Sequence, residues 1–116
     1  MTINIQQNLQ RIHTILQSHS GDSAAWVASV LAMHDQDEKL MYRELNSKRM
    51  WGGAGSIANE ALADNPGMPE WLWQAQIKEF RELMIELGNH LKARDQAYPD
   101  ISSWLLAFSN WNQSEV

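Results

Sequence analysis

The chain contains no cysteine. Disulfides, thiolate metal sites and cysteine nucleophiles are therefore excluded, and so is thiol redox chemistry. Proline is scarce at three residues and glycine reaches only six, so neither a fibrous repeat nor a disordered tract fits. Long apolar runs are missing too. The longest nearly apolar stretch, Ala24 to Met33, is about half of what crosses a bilayer. The opening MTINIQQNLQ lacks the basic segment and apolar core of a secretory signal, so a cytoplasmic protein without a membrane partner is expected. Clustered basic residues are also few. Residues 1–50 carry five basic and five acidic side chains and residues 51–116 carry four and nine, so the net charge of −5 falls on the second half. Direct nucleic-acid binding is disfavoured by that balance, which leaves room for a basic protein partner.

What the chain does have is tryptophan: six, against two tyrosines and two phenylalanines. A chain of 116 residues forms one domain, residues 1–116, and buries roughly two thirds of its unfolded surface, so it cannot easily hide six indoles.

Apolar spacing predicts helices throughout. Ile5, Leu9, Ile12 and Leu16 recur at four, three and four, predicting a helix over about residues 3–18. Ser20, Gly21 and Asp22 offer a cap for a second helix over about 22–34, apolar most of the way round and so expected at the centre. Asp37 and Glu38 at one end and Lys48 and Arg49 at the other suit the dipole of a third helix, about 36–48. Ser56 can cap a short fourth helix to about Asp64. Pro69 suits the first position of a long one over about 69–95, where Trp73, Ile77, Phe80, Met84, Leu87 and Leu91 form one stripe. A last helix over about 101–112 presents Ile101, Leu105 and Phe108 on one face. No strand pattern competes, so the expected fold is all-α, a single-domain antiparallel bundle of five to six helices.

Candidate chemistry is thin. Gly52, Gly53, Gly55 and Ser56 precede a helix and invite a phosphate-loop reading. The lysine before the serine, the third glycine of a dinucleotide loop and a preceding strand are all missing. A structural loop, with positive φ or close helix approach, is the expectation. His13, His19, His34 and His90 do not repeat at a metal-binding spacing, and the serines sit at plausible caps, so no catalytic residue, metal or cofactor is expected, and no enzyme. On the far side of the long helix Glu79, Glu82 and Glu86 share a sector, either solvated or facing a basic partner. Trp71 points away from the apolar stripe, and Trp111 borders the last helix. Trp71 either covers another helix or anchors an interface, and Trp111 is a further candidate contact.

The stretch Trp51-Gly52-Gly53-Ala54-Gly55-Ser56-Ile57-Ala58-Asn59, preceded by a helix bearing Trp26, resembles a group of small bacterial helical proteins. They share a Gly-Gly-x-Gly-Ser-[apolar]-x-[Asp/Asn] segment, with Asn59 here standing where aspartate is common. Some members look like immunity proteins of contact-dependent growth inhibition and related toxin systems. The likeness covers about residues 20–63. It implies a protein that binds a cognate toxin domain and blocks its active site. The candidate contact residues Glu79, Glu82, Glu86, Trp71 and Trp111 lie outside the likeness and follow from their own charge and placement. A ligand- or metal-binding bundle and a homo-oligomeric adaptor are the competing classes.

Overall fold

The computed structural model describes residues 4–18, 20–53, 55–59, 69–94 and 98–114. Among them are six helices and no strand: α1 (Ile5–Gln17), α2 (Gly21–Ala32), α3 (Glu38–Leu45), α4 (Lys48–Trp51), α5 (Glu70–Ala93) and α6 (Ile101–Ser114). The all-α bundle expected from the apolar spacing is the fold observed.

Short polar side chains start the first three helices. The side-chain oxygens of Asn4, Ser20 and Asp37 accept from the amides of Gln7, Ser23 and Leu40, three residues on in each case. Each bond satisfies one of the four amides that a helix leaves unpaired at its start. Pro69 stands one position earlier than expected. Its extended backbone makes it the residue before the helix, and Glu70 is the first helical one.

The predicted third helix is two. The chain breaks at Asn46 and Ser47, where side chains bond the last carbonyls of α3. Asn46 Nδ2 donates to Tyr42 O, Ser47 Oγ to Glu44 O, and the indole N–H of Trp51 to Leu45 O. With those carbonyls satisfied, the chain can turn into α4 without leaving buried polar groups unpaired. Of the predicted helix at 56–64, Ser56 Oγ accepts from the Asn59 amide, as a cap would, and residues 60–64 lie outside the described residues.

While α2 packs between α1 and α3, the longest helix is α5. Its 24 residues span about 36 Å at 1.5 Å per residue, against a longest molecular dimension of 39 Å. It packs between α1 and α6, antiparallel to both: Asn8 meets Leu83 and Arg11 meets Glu79 on one side, while Arg81 meets Asn112 on the other. In α2 the outward residues include Ala25 and Ala32, so a sequence apolar all round still has a solvent face. Exposed alanine costs little, so such a face is tolerated.

Candidate functional site

The three glutamates are not one free face. At 100° per residue, Glu82 lies about 180° from the apolar stripe of α5 and Glu79 only about 120°, close enough to reach the neighbouring helix. Glu79 is bound by Arg11 of α1 in a two-pronged pair, Nε to Oε2 at 2.5 Å and Nη2 to Oε1 at 2.7 Å. The hydrogen bond from Arg11 holds the Glu79 carboxyl below its usual range. Partial burial opposes this, and Coulomb attraction to Arg11 assists it. The same bond raises Arg11. Glu86 is exposed and accepts from Asn8 Nδ2 at 3.4 Å, while Glu82 is exposed. The expected acidic patch is therefore divided, since Glu79 clamps α1 to α5 and Glu82 and Glu86 remain at the surface.

The two tryptophans also differ. Trp71 is 72 % exposed. It stands in register with Ala75, Lys78 and Glu82 at steps of four, three and four, a stripe opposite the buried one. Trp111 is half-buried instead. Its ring tilts against Phe108 at 5.9 Å, and the buried guanidinium of Arg81 lies 5.3 Å from its centroid. Trp111 is thus partly taken up in packing against the core. Arg81 also donates to Asn112 Oδ1, so this end of α6 is held to α5 by polar bonds within apolar surroundings.

The glycine-rich turn is built as a structural loop. Gly53 and Gly55 have φ of +96° and +83°, a region that side chains with a Cβ rarely enter. A Cβ on Gly52 would stand 2.5 Å from the Lys48 carbonyl oxygen. Ser56, Ile57 and Ala58 are buried, and Trp51 is fully so. Arg49 closes the turn by donating to Gly55 O, while its carbonyl accepts from the Ile57 amide. Trp51, Ser56, Ile57 and Ala58 of the motif thus belong to the core.

Sequence reasoning missed one polar constellation. The Tyr42 hydroxyl lies 2.9 Å from His90 Nε2, and the Arg94 guanidinium sits 3.7 Å from the centroid of the Tyr42 ring. Desolvation lowers the His90 pKa, and the Arg94 charge lowers it further. Neutral imidazole can then accept the Tyr42 proton in a hydrogen bond. Burial raises the Tyr42 pKa, against Arg94 and with help from Glu38. Nothing in a linear reading brings residues 90 and 94 to Tyr42.

Among the described residues no group of three or more potential metal ligands is assembled, and no helix is long and apolar enough to cross a membrane. No family model, curated protein or solved structure matches the chain. What fold and geometry define is a helical bundle with a structural glycine turn and one exposed indole on its longest helix.

Proposed function

We propose that the chain is a cytoplasmic immunity protein that binds a cognate toxin domain of an interbacterial competition system and occludes its active site. The observation that carries this reading is Trp71, an indole left 72 % exposed on the longest helix. Large aromatics that stay in water are the residues that most often dominate protein interfaces, because docking removes their apolar surface from solvent. Glu82 and Glu86 flank the same outward side and suit a basic partner, such as a domain whose own substrate is a polyanion. The likeness of the Trp51–Asn59 segment to immunity proteins supplies the biological context.

The test is binding to the toxin domain encoded beside this gene. Trp71→Ala is expected to weaken the complex by about 2 kcal/mol or more, roughly thirtyfold in Kd. The pair Glu82→Lys and Glu86→Lys is expected to slow association at low salt, with the difference shrinking as salt rises. Glu79 is left unchanged because it holds α1. No complex with that domain, or one indifferent to Trp71, would remove this reading. A mass that grows with concentration in the absence of any other chain would favour the homo-oligomeric adaptor.

A further inference from the structure

The fold gathers charge of one sign around Tyr42. Lys39, Tyr42, Arg43 and Asn46 line a surface depression of about 400 Å³. They are spaced three, one and three apart, which puts them on one side of α3. From the end of α5, Arg94 lays its guanidinium over the Tyr42 ring, and His90 fixes the hydroxyl. The ion pairs among the described residues are Arg11–Glu79 and His34–Asp35, so Lys39, Arg43 and Arg94 have no carboxylate within bonding distance there. Glu38 is the acid whose charge reaches Tyr42. Three cations thus come together on this side of a chain whose net charge is −5.

We propose that this depression binds a phosphate-class oxyanion, inorganic phosphate or a small phosphomonoester, between Lys39 and Arg43 of α3 and Arg94 of α5. A phosphate group offers three acceptor oxygens to several cationic donors at once, whereas a carboxylate offers two. Guanidinium groups present paired N–H donors that fit two phosphate oxygens at once, and a lysine adds a mobile point charge. Stacking on Tyr42 positions Arg94 before any ligand arrives, which lowers the ordering cost of binding. The site is separate from the glycine-rich turn, and it does not depend on the immunity reading.

The experiment follows backbone amides by NMR as inorganic phosphate is added at constant ionic strength, with acetate as a parallel arm. Saturable shifts are expected in residues 39–46 and 90–94, with none in residues 52–59. The pair Arg43→Gln and Arg94→Gln is expected to weaken phosphate binding about tenfold or more, while Lys78→Gln at the opposite end of α5 leaves it unchanged. Both arginines are exposed, so the double variant keeps the fold, which its amide spectrum verifies. Shifts that do not saturate, that acetate reproduces, or that survive the double substitution would overturn the site.

Discussion

The indole N–H of Trp104 donates to the backbone carbonyl of Trp51 across 2.8 Å, tying α6 to the residue that opens the glycine-rich turn. Trp51 is itself fully buried and donates to Leu45 O, so two tryptophans link the ends of α3, α4 and α6 in one relay. Replacing Trp104 with Phe keeps an aromatic ring, removes the donor and leaves the Trp51 carbonyl short of its partner. The expected cost is about 1–2 kcal/mol, read as a lower urea midpoint with an unchanged slope.

The Arg11–Glu79 pair makes a pH-dependent contribution of defined sign. Because the folded-state pKa of Glu79 is lowered, the stabilisation is present above the unfolded carboxylate value of about 4.3. It is lost as pH falls through the depressed folded value. The two side chains are 47 % and 38 % exposed, so screening limits the contribution at neutral pH to under about 1 kcal/mol. Glu79→Gln should flatten the acid limb of the stability curve and Glu79→Lys should destabilise further by facing Arg11 with a like charge. Glu82→Lys should do neither. Chemical denaturation from neutral to acid pH, at low and high salt, distinguishes the three.

Gly53→Val and Gly55→Val should each destabilise the fold by about 1–2 kcal/mol, the cost of holding an L side chain in left-handed backbone. At neither position does a Cβ meet another atom within 4 Å, so the effect is conformational and not steric crowding. Ser at the same positions should therefore also destabilise, by less than β-branched Val. Equal melting temperatures for wild type and variants would mean the turn tolerates another backbone shape.

His90 titrates below its ordinary value because it is desolvated and because Arg94 repels its proton. Arg94→Gln should move the His90 titration upward part of the way, since desolvation is the larger cause and remains. By linkage, the neutral His90 stabilises the fold above the unfolded value of about 6.5. That stability declines as pH falls toward the folded value, because the unfolded chain takes up the proton first. Two-dimensional NMR of the imidazole resonances between neutral and acid pH reads both effects. An unmoved titration in the variant would place the guanidinium elsewhere in solution.

Gly88 illustrates a feature that becomes intelligible only from its neighbours. In the sequence it interrupts the propensity of a strong helix. In the fold, a Cβ there would come within 2.6 Å of a Leu105 methyl and 3.1 Å of Ile101 Cγ2. The glycine is where α6 approaches α5, so Gly88→Leu should overpack the interface and cost about 1–3 kcal/mol, measured by the same denaturation.

The sequence by itself determined that this protein is helical and where most of its helices run, because apolar spacing and short polar caps act within a few residues of one another. The stripe from Trp73 to Leu91 marks α5, and Ser20 and Asp37 mark two starts. It also indicated that glycines 53 and 55 serve the backbone, since what they lacked around them excluded known phosphate loops. Tertiary structure alone decided the rest. Whether Glu79 is free depends on Arg11, 68 positions away, and whether Trp111 is exposed depends on Phe108 and Arg81. The split of α3 from α4 depends on Trp51 reaching back to a carbonyl. The cluster at Tyr42 exists only because the end of α5 comes to rest on α3. Local rules fix backbone shape through bonds between near neighbours, but the pairing of charges and the exposure of an aromatic ring are set by which distant surfaces meet.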